Sequence, residues 1–238
     1  MMGQKEVEQM KSVSTLDEDW SPPETIAEPQ ERNIPKRRVY CAGKRIFDIV
    51  FSGATMLALS PLMAVIAVLV HKDDPKVSCI YAQQRVGKEG APFVMYKFRT
   101  MIADAEKQRA LLESQNEKDG PVFKIRNDPR VTPIGRVLRK LSLDELPQLW
   151  NVFKGDMSIV GPRPALPNEV ACYEPWQRER LCVKPGLTCY WQVVPRRDTI
   201  SFEEWMRMDI RYIEECSWLL DLKLIVQTVK IVVTAQGQ

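Results

Sequence analysis

The sequence predicts a mainly helical α+β fold, with one membrane-associated apolar helix ahead of a small cytosolic domain that carries amphipathic helices. Three observations predict it. Residues 46–70 form the one long apolar run of the chain. Two short strand-like stretches flank the turn 87–90, Gly87-Lys88-Glu89-Gly90. Helical patterns then recur to the end of the chain, the last of them over Trp218–Val233.

Residues 1–35 hold Ser21, Pro22, Pro23, Pro29 and Pro35 among scattered acids and few large apolar side chains. Such a segment buries too little surface to offset its ordering entropy, so a flexible acidic tail is expected. The overall charge of +3 hides an asymmetry. Residues 1–33 contain eight acidic and three basic side chains, which leaves 31 basic against 23 acidic in the remainder. A basic body suits anionic partners: phosphate esters, acidic lipid head groups or nucleic acid. No nucleic-acid recognition motif or aromatic stacking platform accompanies the charge, and a nucleic-acid partner is not expected. The six cysteines form no CxxC pair, and His71 is the sole histidine, which argues against a zinc site and for reduced, cytosol-facing thiols. The polar start of the sequence does not resemble a secretory signal.

Residues 36–72 comprise a basic flank (Lys36, Arg37, Arg38, Lys44, Arg45) and the apolar run. Twenty-five residues at about 1.5 Å each could just span a bilayer. Asp48 near the start and Ser60-Pro61 in the middle disturb a simple span, because proline removes a backbone hydrogen bond. Three readings stay open on residues alone: a re-entrant helix turning at Pro61, a true span, and a buried helix of a soluble protein. Positive charge marks the cytoplasmic side. The basic leading flank and the soluble, basic chain after His71 therefore favour re-entry.

Residues 73–238 form the cytosolic domain. Strands are expected at 77–83 and 91–98, and helices at 102–116, 134–140 and 143–153. Ser142 and Glu145 match a capping box for the last of these. A loop follows at 161–167, then a helix over 201–216 beginning near Ser201. The helix over Trp218–Val233 has one broad apolar face, suited to a core or to a membrane interface.

Polar chemistry is densest between Asp128 and Arg163. Arginines hold phosphate through paired hydrogen bonds. Adjacent carboxylates can bind a divalent metal, and a carboxylate can attack phosphorus. Asp144 and Glu145 are the candidate catalytic pair, although capping explains Glu145 and dipole compensation explains Asp144 equally well. Lys97 and Arg99 share one face of a strand, where a solvated edge is the plainer reading.

The segments KRIFDIV (44–50), LSPLM (59–63), QQRVGKEG (83–90), KFRTM (97–101), DPRVTPIGRVLRKLSLDELPQLWNVFKGDMSIVGPRP (128–164), KPGLT (184–188) and DLKLI (221–225) together resemble the monotopic phosphoglycosyl transferases, the bacterial sugar transferase family. The resemblance implies a re-entrant membrane helix hairpin broken at Ser60 and Pro61, a small cytosolic catalytic domain and interfacial amphipathic helices at the cytoplasmic face of the bacterial inner membrane. It implies transfer of a sugar-1-phosphate from a UDP-sugar to polyprenyl (undecaprenyl) phosphate, with release of UMP, at the start of surface glycan assembly. Asp144 corresponds to the family's nucleophile, which forms a phosphosugar–aspartyl intermediate, and Glu145 to its partner. Magnesium is the implied cofactor, held in part by Asp144. Lys97, Arg99, Arg139 and Arg163 fall in the family's basic motifs and imply contacts to phosphate or nucleotide. A homodimer is compatible with the resemblance. The chain departs from the family after Thr188, where Cys189-Tyr190-Trp191 replaces the usual glycine and bears on loop shape and sugar preference. A non-catalytic, lipid-binding surface module is the alternative, distinguished by whether UMP is released.

Overall fold

A computed structural model describes residues 34–194 and 199–234. The expected acidic tail, apart from its last two residues, lies outside the described residues. Helix α1, Ile34–Asp73, is followed by strands β1 (Ile80–Val86) and β2 (Pro92–Phe98). Helices α2 (Ala105–Arg109), α3 (Pro133–Lys140) and α4 (Gln148–Lys154) come next, then β3 (Ser158–Val160) and α5 (Pro167–Ala171). Strand β4 (Gly186–Thr188) precedes α6 (Tyr190–Val193), α7 (Phe202–Glu215) and α8 (Trp218–Val233). The observed class is the mainly helical α+β fold that the sequence predicts.

Among the described residues α1 is the one helix long and apolar enough to cross a membrane, with a mean hydropathy of 2.2 in its most apolar window. Only 11% of that window is buried, so α1 is not the core helix of a soluble domain. Its inward stripe runs Asp48, Ser52, Met56, Leu59, Met63, Ile66, Val70, at spacings of three and four. Val50, Leu57, Val65 and Val68 point outward, more than half exposed. Both arms of α1 pack on the same body. Phe47, Phe51 and Met56 join the core of Leu149, Val152, Met157 and Ile159, while Ile66 and Val70 pack with Phe98 and Leu138.

Where a break was expected at Ser60-Pro61, α1 is a single helical element with Pro61 inside it. The physical reason is local. Proline cannot donate to the carbonyl four residues back, that of Leu57. The Ser60 hydroxyl donates to that carbonyl at 2.8 Å instead, so the position is not left unpaired in apolar surroundings.

Two buried aspartates fasten α1 to the body. The Asp48 carboxylate, 2% exposed, accepts from the Ile159 amide at 2.9 Å and the Ser158 hydroxyl at 3.1 Å. Asp221 of α8 accepts from Tyr40 at 2.6 Å, Lys44 at 2.6 Å and Tyr212 at 2.8 Å. Arg45 donates to the carbonyls of Val152 and Phe153 at the end of α4, where a cation also opposes the helix dipole.

Strands β1 and β2 form an antiparallel hairpin in register Ile80↔Phe98 through Val86↔Pro92. The first strand starts three residues later than expected and runs three further. The outer edge of β2 is covered by fully buried Asn151, whose amide bonds the Tyr96 N–H at 3.1 Å and the Val94 carbonyl at 2.6 Å. Strands β3 and β4 are parallel, pairing Ser158↔Gly186 and Val160↔Thr188. A Cβ on Gly186 would lie 2.0 Å from the Gly161 nitrogen, so this contact admits only glycine there.

Two expected helices are absent in the form foreseen. Residues 102–116 split into short α2 and a 3₁₀ stretch, Ala110–Gln115. Residues 143–153 split into a 3₁₀ turn, Leu143–Glu145, and α4. Ser142 is left-handed (φ 54°) and makes no capping bond, so the anticipated capping box does not form. Pro147 sits at the start of α4, where a missing N–H costs nothing. By contrast Ser201 and Ser217 do cap α7 and α8.

Replacing Asp48 by alanine leaves a buried amide and hydroxyl without an acceptor. Thermal unfolding of the detergent-solubilised protein should show a loss of about 1–3 kcal/mol. Asp48→Asn, which keeps an acceptor oxygen, should retain most of the stability; equal melting of all three proteins would refute the anchor.

Candidate active site

The hairpin presents Tyr81, Gln83 and Arg85 beside their cross-strand partners Lys97, Met95 and Phe93 on one face. The 3₁₀ turn Leu143–Glu145 packs against β2 and brings its carboxylates to that face. Lys97 donates to Glu145 at 2.7 Å. That ion pair, rather than a cap, is the observed partner of Glu145. Arg163 and Pro164, from the loop after β3, complete an open cleft of about 290 Å³ with Arg85, Lys97, Glu145 and Gln148.

Asp144 is buried, 8% exposed, in the turn that follows left-handed Ser142. Burial pushes its carboxyl above the usual carboxylate range, and adjacent Glu145 adds to this, while Lys97 and Arg139 pull the other way. For Glu145 burial acts upward too, but the charge and hydrogen bond of Lys97 outweigh it and hold its carboxyl below the usual range. Neighbouring carboxylates pushed apart in this way can take different roles. Arg139 is steadied by its Nε bond to the Thr100 hydroxyl at 3.0 Å, and burial lowers its pKa. Arg99 does not line the cleft: its Nε donates to the Ser78 carbonyl at 2.8 Å and its guanidinium stands 5.6 Å from the Tyr81 ring.

The loop bearing Arg163 is held from behind. Buried Arg180 donates to the Arg163 carbonyl at 2.8 Å, to Asp209 at 2.6 Å and to the Tyr173 hydroxyl. Asp209, wholly buried, has its pKa pushed up to about 6, mainly by desolvation. Arg163 itself stands 5.3 Å over the Trp205 ring and 3.9 Å from Glu169.

Of the polar cluster seen in the sequence, Glu145 and Arg163 line the cleft with Lys97, whereas Asp144 and Arg139 do not line it and stand close enough only to feel each other's charge. Asp128 and Arg130 satisfy each other at 2.6 and 2.9 Å, and Asp156 bonds Lys154 and Asn151. Arg85, Gln148 and Gln192 line the cleft without having been singled out. Alternation places Arg85 on the face of Gln83, but only the register shows that Lys97 shares it. The Cys189 departure is accommodated by extended backbone (φ −157°), which any residue adopts.

No group of three or more His, Cys, Asp or Glu side chains gathers as a metal cage among the described residues. Magnesium is commonly bound through one or two carboxylates together with substrate phosphates. Asp144 and adjacent Glu145 could supply carboxylates of that kind, Glu145 being bonded to Lys97.

The sequence matches the bacterial sugar transferase family over residues 39–235. It is 42% identical over 196 residues to a galactosyl transferase, CpsE, of Streptococcus agalactiae serotype III, covering 82% of this chain and 43% of that one. It is 39% identical over 201 residues to an undecaprenyl-phosphate galactose phosphotransferase of Salmonella typhimurium, covering 82% and 41%. The chain thus spans about two-fifths of the length of these two relatives. Against the exopolysaccharide production protein ExoY of Rhizobium meliloti it is 39% identical over 201 residues, covering 82% and 87%. With a family match over most of its length and a site assembled from the matching segments, this chain belongs to the bacterial sugar transferase family.

Proposed function

We propose that the protein transfers a sugar-1-phosphate from a UDP-sugar to a polyprenyl phosphate, with Asp144 as the nucleophile. The observation that carries this reading is a buried aspartate in a tight turn, next to Glu145, which lines a cleft with Lys97 and Arg163. An Asp144 oxygen attacks the β-phosphorus and the bond to the bridging oxygen breaks. UMP departs with that electron pair, leaving a phosphosugar–aspartyl ester. A phosphate oxygen of the polyprenyl phosphate then attacks the same phosphorus, releasing the carboxylate and giving a polyprenyl diphosphate sugar.

Lys97, Arg139 and Arg163 offset charge on the phosphoryl oxygens, and Arg99 steadies an outer part of the donor. Glu145 holds Lys97 in place. Magnesium, bound by Asp144 and the diphosphate, would supply further neutralisation of phosphate charge. Names of relatives support donor and acceptor: a UDP-galactose-lipid carrier transferase of Erwinia amylovora is 37% identical.

A re-entrant α1, seated on the cytoplasmic face of the inner membrane, completes the proposal. Forty residues amount to about 60 Å of helix, twice the hydrocarbon thickness. Both arms nevertheless rest on one body, the first through Asp48 and the second through Val70. A straight spanning helix would carry one of these arms out of reach, and re-entry further requires α1 to bend at Pro61, where the backbone lacks an N–H donor. The exposed Trp218, Leu219, Leu222, Val226 and Val229 of α8 and the stacked pair Trp150–Phe153 of α4 supply interfacial apolar surface.

Asp144→Asn should lower UMP release from a UDP-sugar with lipid acceptor by more than about 10³-fold; undiminished turnover would overturn the assignment. Because Asp144 must be ionised to attack, wild-type turnover should rise with pH through a value above the ordinary aspartate range. The sign for stability is opposite. A carboxyl whose pKa is raised on folding holds its proton more tightly in the folded state, so stability falls as pH rises from the unfolded value through the folded one. Asp144→Asn should therefore melt at or above the wild type near neutral pH, with the difference closing in acid. A lower melting temperature at neutral pH would contradict the raised pKa.

A further inference from the structure

Arg85 is a charged side chain that the motif-based reading leaves without a role. It is 6% exposed, on β1, and lines the cleft with Lys97 and Arg163. Its hydrogen bonds go to neutral oxygens: the Pro164 carbonyl at 2.9 Å and the Gln83 amide oxygen at 2.6 Å. Its Nε is buried without a hydrogen-bond partner among the described residues. A buried cation ordinarily requires a close carboxylate. The nearest acids are otherwise engaged, Glu145 with Lys97 at 2.7 Å and Glu169 with the Leu166 amide at 2.8 Å. Arg163, whose nearest carboxylate is Glu169 at 3.9 Å, adds a second guanidinium to the same cleft.

We propose that Arg85 joins Arg163 in a two-guanidinium clamp for a phosphate group of the nucleotide donor. This rests on the phosphosugar-transfer reading and gives its nucleotide side a named residue. Two planar forks at one cleft match the several oxygens of a phosphate ester better than a lysine's point charge does. The Pro164 carbonyl ties the Arg85 guanidinium to the loop that bears Arg163, so the two forks are placed by one loop. The two guanidiniums repel each other: burial, and then the charge of Arg163, push the Arg85 pKa down to about 9. A bound dianion removes that repulsion. Without it, Arg85 is a cost to the fold, and this distinguishes a ligand-holding arginine from a structural one.

The test is thermal unfolding and equilibrium binding on the detergent-solubilised full chain, with UMP and inorganic pyrophosphate as probes and uridine as a control. Wild type should be stabilised by UMP and pyrophosphate but not by uridine. Arg85→Met should melt no lower than wild type without ligand, yet bind both phosphates about 10-fold or more weakly. Arg85→Lys, which keeps the charge and loses the fork, should show an intermediate loss at unchanged stability. Unchanged phosphate affinity in either variant would overturn the proposal, as would a lower ligand-free melting temperature in both with affinity preserved. Failure of the underlying reading looks different: pyrophosphate binding that depends on Arg85, with no UMP released from any UDP-sugar, would sink the transfer reaction and leave the anion clamp standing.

Discussion

The buried carboxylate of Asp48 is the constraint on which the remainder of the structure hangs. It sits on a helix whose outward surface is apolar, yet its own surroundings are the Ile159 amide and the Ser158 hydroxyl. Strand β3, fixed in this way, pairs with β4, and the loop leaving β3 delivers Arg163 to the cleft. One hydrogen-bonded carboxylate thus sets the height of the phosphate-binding loop relative to the apolar surface of α1. Under the proposed transfer from a nucleotide to a lipid phosphate, that height would govern whether the two can meet.

The site is assembled from segments that are individually ordinary. A hairpin supplies Arg85 and Lys97, a 3₁₀ turn supplies Asp144 and Glu145, and a loop backed by the buried Arg180–Asp209 pair supplies Arg163. Local electrostatics divide the two adjacent carboxylates. Lys97 holds Glu145 through a charge and a hydrogen bond that outweigh its desolvation, whereas at Asp144 desolvation outweighs the neighbouring cations and raises the proton affinity.

Much of the helical framework was legible because its signals are local. The helix over Trp218–Val233 has the expected bounds, Ser201 caps α7, and α3 begins one residue before its expected start. The segment around Asp144 misled for an equally local reason. Ser142 and Glu145 have the spacing of a capping box, but packing holds Ser142 left-handed and Lys97 claims Glu145 from 48 residues away. Arg85 escaped notice because its significance depends on strand register, which alternation alone does not fix. Ser60 and Pro61, expected to break α1, lie inside a single helical element in which the Ser60 hydroxyl bonds the Leu57 carbonyl.

The anchors of α1 also have a temporal meaning. The partners of Asp48 lie 110 and 111 residues later in the chain, and that of Tyr40 lies 181 residues later. At ribosomal speeds of about 5–20 residues per second, α1 exists for roughly 10–40 s before its last anchor has been made. Asp48 lacks its partners until residues 158 and 159 have been made, and Tyr40 and Lys44 lack theirs until residue 221. The apolar helix is therefore complete before the body that anchors it, and that body is built onto a helix already in place.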